Sequence, residues 1–140
     1  MAEAIFRARL QKSGEKWQTW KIGSAGTWAA DGQAASVFAV KTMSARGMDI
    51  SEHKARSISK DLISENNLVL TMEMGQREAL VAEFPEFEKR IHLLSEMSGV
   101  KTDVRDPYGG DLEEYQYGAD VLDGLITKGL TRIIFLARKE

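Results

Sequence analysis

The chain has 140 residues, 43% of them hydrophobic and 29% charged, and 19 Lys and Arg against 21 Asp and Glu leave a net charge of −2. That length suits one domain with one sizeable core, and the interspersed signs supply no field that would draw the chain to nucleic acid or an anionic membrane. The longest apolar run, Ile133 to Ala137, is too short to span a bilayer, and Ala2 to Leu10 carries too many charges for a signal peptide, so a cytoplasmic location is the default expectation.

No cysteine occurs anywhere in the chain. Disulfides, cysteine-ligated metals and any thiolate nucleophile are therefore excluded from these residues. The two histidines, His53 and His92, are far apart and lack ligand spacing, so neither a metal site nor a cofactor is expected.

Ala2 to Lys12 reads as an amphipathic helix with Ile5, Phe6 and Leu10 on one face, and Ser13-Gly14 ends it. It opens the chain without a preceding capping residue. Lys16 to Ile22 alternates around Trp17 and Trp20 and is predicted as a strand running into Gly23-Ser24-Ala25-Gly26-Thr27. Trp28 to Gln33 is a loop, Ala34 to Arg46 a helix stopped at Gly47, Met48 to Ser57 polar and irregular, and Ser59 to Leu62 a short helical turn. Leu68 to Met72 has the pattern of a strand buried on both faces. Gly75 to Phe84 is a helix ended by Pro85, Arg90 to Leu94 a third strand, Met97 to Arg105 a connecting loop, and Leu112 to Leu136 one long helix or two abutting ones, weakened at Gly118, Gly124 and Gly129.

Helix and strand thus alternate along the chain, which predicts an α/β domain with a parallel sheet flanked by helices. Three strands are few for such a sheet, and an opening helix without its strand looks like half of a βαβ unit.

The stretch Asp106-Pro107-Tyr108-Gly109-Gly110 is the sharpest local signal. Proline fixes its own φ and moves Asp106 out of the helical region, while the glycines open conformations closed to other residues. A shaped loop with a carboxylate at its tip results, and Asp111 is placed to cap the last helix. Loops of this kind on a rigid scaffold often carry catalytic groups. A plain turn between strand and helix is the alternative reading of the loop alone.

Five segments, Ala2 to Phe6, Ser24 to Thr27, Gly47 to Arg56, Leu70 to Glu73 and Asp106 to Gly109, resemble in order and spacing the landmarks of the low molecular weight protein-tyrosine phosphatase family. The resemblance covers essentially residues 1–140. It implies a single domain whose four-stranded parallel sheet forms the middle of three layers. It also implies that the first, central strand and the phosphate-binding loop that follows it, of the pattern Cys, five residues, Arg, Ser or Thr, Pro, are missing, so that the chain is N-terminally truncated relative to the family.

By the same resemblance Asp106 is the general acid, protonating the leaving oxygen and later activating water. Tyr108 lines the substrate slot, Trp28 faces it from the loop after Ser24-Ala25-Gly26-Thr27, and Ser24 and His53 brace the phosphate loop by hydrogen bonds. For Trp28 ordinary packing is an equal alternative. Gly109 stands where the family often has a second tyrosine. Arg56 and Asp61 are assigned to structure, and His92, following Ile91 on a strand, to partial burial or solvent.

Without the central strand, two strand edges would face each other unpaired. Each buried unpaired backbone group costs roughly 1–3 kcal/mol, and a strand's worth rivals the roughly 5–15 kcal/mol stability of a domain. The expectation is that neighbouring segments close the gap or that another chain lends a strand, by oligomerisation or strand exchange.

Two functions follow. One is an enzyme: a phosphomonoester hydrolase of phosphotyrosine or phosphoarginine proteins, or of a small aryl phosphate, whose cysteine and arginine lie outside the given residues, so that the chain as written is inactive. The other is a catalytically dead binding or regulatory module of the same fold. An arsenate reductase is disfavoured, since that chemistry needs further cysteines.

Overall fold

In the computed structural model, residues 1–27 and 30–138 are described. Five α-helices occur among them, α1 (Ala2–Lys12), α2 (Val37–Ala45), α3 (Lys60–Ser64), α4 (Met74–Glu83) and α5 (Leu112–Arg138), together with strands β1 (Val69–Thr71) and β2 (Ile91–Leu93). The strands pair in parallel with Val69 opposite Ile91, Leu70 opposite His92 and Thr71 opposite Leu93. A parallel pair needs a helical crossover, which α4 and the 3-10 helix Pro85–Arg90 provide. The α/β class and the parallel sheet with helices therefore agree with the sequence reading.

By their contacts the residues form two compact units, Met1–Ser57 with Asp106–Gly124, and Ile58–Arg105 with the chain from Leu125 onward. In the second unit Ile63, Leu80 and Ile91 form a buried cluster, with Ile58, Val69, Val81, Phe84 and Phe87 packed on it. Arg90 lies over the Phe87 ring at 4.8 Å and donates to the carbonyls of Ile63, Ser64 and Asn66. One guanidinium thereby satisfies the open carbonyls at the end of α3. The start of α4 is closed by a reciprocal capping box between Glu73 and Gln76, and Asp103 accepts the Met74 N–H at 2.8 Å.

In the first unit α2 starts where Ser36 Oγ accepts the Ala39 N–H. It stops at Gly47, whose φ of +79° lets Met48 N–H reach Met43 O and Gly47 N–H reach Ser44 O. That is the stop expected from the sequence.

The strand expected over Lys16 to Ile22 does not form. Trp17–Thr19 is a 3-10 turn, closed by Trp20 N–H to Trp17 O and by Thr19 Oγ1 to Lys16 O. Among the described residues no strand lies alongside to take its backbone groups, and Trp20 packs on Phe6 with ring centroids 6.0 Å apart. The tryptophan spacing that resembled alternation serves a turn instead. β1 is shorter than Leu68 to Met72, and Val69 and Leu70 are half-buried, so burial on both faces is not reached there. The connecting stretch opens with a 3-10 helix at Ser95–Ser98.

α5 is one continuous helix. Tyr115, Ala119, Leu122, Ile126 and Ile133 are buried at three- and four-residue steps. Gly129 falls in the same stripe, where a Cβ would sit 2.6 Å from Met97 Cβ and 2.9 Å from the Met97 carbonyl carbon. At Gly124 no heavy atom of the described residues outside the helix's own neighbouring turns lies within 4 Å of that position. No helix among the described residues is long and apolar enough to cross a membrane.

Gly124→Ala should gain up to about 1 kcal/mol from helix propensity, whereas Gly129→Ala should lose about 1–3 kcal/mol by overpacking against the Met97 backbone. Urea unfolding of both variants tests the contrast. Thr42 is 2% exposed and its Oγ1 has no hydrogen-bond partner among the described residues. Thr42→Val removes that unsatisfied hydroxyl at nearly constant shape and should stabilise by about 1 kcal/mol, a rise in Tm of about 4 °C; an unchanged or lower Tm would contradict this.

Candidate active site

The Asp-Pro loop is built by backbone geometry and closed by its own polar groups. Asp106 Oδ1 accepts the Tyr108 N–H at 2.9 Å, and Gly110 N–H donates to Pro107 O at 2.8 Å. Gly109 has φ +84°, a conformation that costs an L side chain roughly 1–2 kcal/mol. At Gly110 a Cβ would collide with the Glu114 carboxylate and lie 2.9 Å from Pro107 O. Both glycines are therefore required by the turn.

Immediately afterwards Asp111 Oδ1 accepts the Glu114 N–H at 2.9 Å, which is the N-cap expected of it. Pro107 and the Met1 side chain both sit over Gly118, where a Cβ would be 3.6 Å from Pro107 Cγ and 3.9 Å from Met1 Cε. The start of α1 and the first turns of α5 thus flank the loop. Burial pushes the Met1 α-amino group below its usual pKa, with the Glu3 carboxylate opposing the shift.

Asp106 itself is exposed, and its second oxygen has no hydrogen-bond partner among the described residues. Tyr108 is 75% exposed beside it. A carboxyl group so placed can give or take a proton, and the ring offers a flat apolar wall.

Ser24 is exposed, and its hydroxyl donates to Glu3 Oε1 at 2.8 Å while its carbonyl accepts from Arg56 Nε at 3.0 Å. Glu3 also pairs with Arg7 at 3.2 Å, and Arg7 reaches Ile22 O. His53 is half-buried, with its N–H on Ile50 O and no hydrogen bond from its ring among the described residues. Trp28 lies outside the described residues. Asp106 and Tyr108 therefore share one loop, whose Pro107 approaches Gly118 together with the Met1 side chain; Ser24 joins α1 through Glu3, and among the described residues no hydrogen bond links His53 to the loop.

Sequence reasoning passed over three contributors. Glu3 and Arg7 at i,i+4 are a readable helix pair, but their grip on residues 22 to 24 is a long-range contact. Ser36 before α2 carried a cap signal that the earlier predicted start at Ala34 obscured. Tyr115 carries no mark of its own within α5, and the contact it makes with Ser36 has no local signature.

Toward its middle α5 is held by arginines. Arg9 forms a bidentate pair with Asp123 at 2.7 and 2.6 Å, which raises its pKa above the ordinary value, chiefly through the hydrogen bond. Arg46 pairs with Asp120 and donates to Gln116 O. No group of three or more His, Cys, Asp or Glu able to hold a metal is found among the described residues.

Asp111→Ala should cost about 1 kcal/mol of stability through loss of the cap, while Asp111→Asn should cost much less. Denaturant titration distinguishes the two, and equal losses would mean the side chain does not cap α5.

The family model described as low molecular weight phosphotyrosine protein phosphatase matches residues 1–134. The chain is 33% identical over 109 residues to a protein-arginine-phosphatase of Geobacillus stearothermophilus, covering 77% of this chain and 73% of that one. It is 30% identical over 133 residues to a protein of Ralstonia nicotianae named probable low molecular weight protein-tyrosine-phosphatase EpsP, covering 95% and 86%. Among solved structures, that of the low molecular weight protein tyrosine phosphatase from T. tengcongensis is similar at 37% identity and a TM-score of 0.86, covering 94% of this chain and 88% of that one.

Proposed function

This chain belongs to the low molecular weight phosphotyrosine protein phosphatase family, and on that premise we propose that it carries the acid half of a phosphomonoester hydrolase site. The observation that supports this most is the Asp106 carboxyl group, exposed at the tip of a turn with one oxygen committed to Tyr108 N–H and the other uncommitted.

In this reading a thiolate attacks phosphorus, an S–P bond forms as the ester O–P bond breaks, and Asp106 gives its proton to the leaving oxygen. Asp106, now ionised, takes a proton from the water that next cleaves the S–P bond. Tyr108 supports an aromatic leaving group. The first N–H groups of α1 have no partners within their helix and can face a phosphoryl oxygen. Ser24 and His53 are read as bracing groups for the loop that carries the thiolate, and Trp28 as the opposite wall of the slot.

The 140 residues contain no cysteine, so the thiolate is no part of them. By themselves they constitute a proton donor without a nucleophile. The anion-binding arginine of the family pattern is read as lying outside these residues as well.

A second substrate reading is favoured by one observation, the similarity to a protein named protein-arginine-phosphatase. Breaking the P–N bond of phosphoarginine leaves a strongly basic guanidine, for which a proton donor at Asp106 is at least as useful as for a phenol.

The expected result is that the 140-residue chain releases no phosphate from p-nitrophenyl phosphate, a phosphotyrosine peptide or a phosphoarginine peptide above a buffer blank. Turnover that disappears in Asp106→Ala would overturn the assignment of the nucleophile. Saturable binding of the phosphotyrosine peptide without turnover would favour a binding module over an enzyme.

A further inference from the structure

The Asp106 carboxylate makes no ion pair among the described residues, and its loop is exposed at Tyr108 and Gly109. What fixes its position is the start of α5. The cap at Asp111, the contact of Gly110 with Glu114 and the seat of Pro107 on Gly118 tie residues 106 to 111 to the first two turns of that helix. Where those turns sit, the carboxylate follows.

Between Leu112 and Gly118 the one buried side chain is Tyr115, at 4% exposure. Its ring meets Phe38 edge-on with centroids 6.1 Å apart. Its hydroxyl accepts a hydrogen bond from Ser36 Oγ at 3.0 Å, and the same Oγ accepts the Ala39 N–H at 3.3 Å. With the backbone N–H on one side of the Ser36 oxygen, its proton is free to be directed at Tyr115.

Apolar burial of a ring sets how deeply a helix sits but is not directional, whereas a hydrogen bond is lost within a few tens of degrees of rotation. We infer that the Ser36–Tyr115 hydrogen bond is a positioning device for Asp106: it locks the rotation of the first turns of α5 onto the N-cap of α2, and so sets where the carboxylate stands. Tyr115 and Ser36 act through the helix, and neither touches substrate. The inference rests on the reading of Asp106 as proton donor for its functional meaning, but the geometric coupling can be measured without turnover.

The test uses amide hydrogen exchange and amide chemical shifts of the 140-residue chain. Tyr115→Phe keeps the ring and removes the hydroxyl, Ser36→Ala removes the other partner, and Ser36→Thr restores a hydroxyl at the cap. Ile91→Val in β2 serves as a control for general loss of stability. Tyr108 and Gly110 report on the loop, since their N–H groups make its two internal bonds.

In Tyr115→Phe and Ser36→Ala these two amides should exchange at least five-fold faster than in the wild type and shift in resonance. Ile91→Val should change them less than two-fold, and Ser36→Thr should stay near the wild type. Loop amides that behave alike in Tyr115→Phe, Ile91→Val and the wild type would overturn the inference. So would acceleration spread evenly over α1 and α2, which would mark the bond as merely stabilising. Because no phosphate release is read, failure here is distinct from failure of the phosphatase assignment.

Discussion

The constraint on which most of the described structure depends is the scarcity of β ladder. Two three-residue strands share one parallel register, and parallel pairing that short contributes little by itself. Helix ends and single polar side chains take over the work of fixing the chain. Ser36, Ser59, Asp111 and the Glu73–Gln76 box close helix starts, Arg90 closes the end of α3, and Gly47 ends α2 with paired backbone bonds. Each such cap is worth about 1 kcal/mol, a large fraction of a domain's marginal stability when several act together. The Asp-Pro loop is one more member of this set: its shape comes from two glycines and a cap, and its place comes from the helix that the cap begins.

Much of this was legible in the sequence because the signals are local. Asp111 lies three residues before the backbone N–H it caps, Gly47 follows the last helical turn, and the 106 to 110 turn is written in Pro107, Gly109 and Gly110. The two strands found lie inside the stretches Leu68 to Met72 and Arg90 to Leu94, each shorter than expected by one residue at either end. Lys16 to Ile22 failed for a reason that local pattern cannot reveal. A strand exists only with a neighbour to take its N–H and C=O groups, and two tryptophans spaced three apart suit a 3-10 turn equally well.

The site shows the same division. Asp106 and Tyr108 could be singled out from their own loop. Glu3 reaching Ser24, Pro107 resting on Gly118 and Tyr115 meeting Ser36 join residues 11 to 79 positions apart, and no periodicity announces them. Gly118 and Gly129 read as weak points of α5, yet at Gly129 the Met97 backbone approaches too closely for a Cβ, and there helix propensity gives way to packing.

The central claim is that Asp106 supplies the proton to the leaving group, and leaving-group dependence tests it most directly. A strand and loop of the family pattern Cys, five residues, Arg, Ser or Thr, Pro, joined in front of Met1, would give a protein in which phenyl phosphate and p-nitrophenyl phosphate can be compared with and without Asp106→Asn. A lost general acid should lower turnover of phenyl phosphate by roughly 10²- to 10⁴-fold and of p-nitrophenyl phosphate, whose leaving group needs little protonation, far less. Equal effects on both substrates, or none on either, would contradict the role given to Asp106.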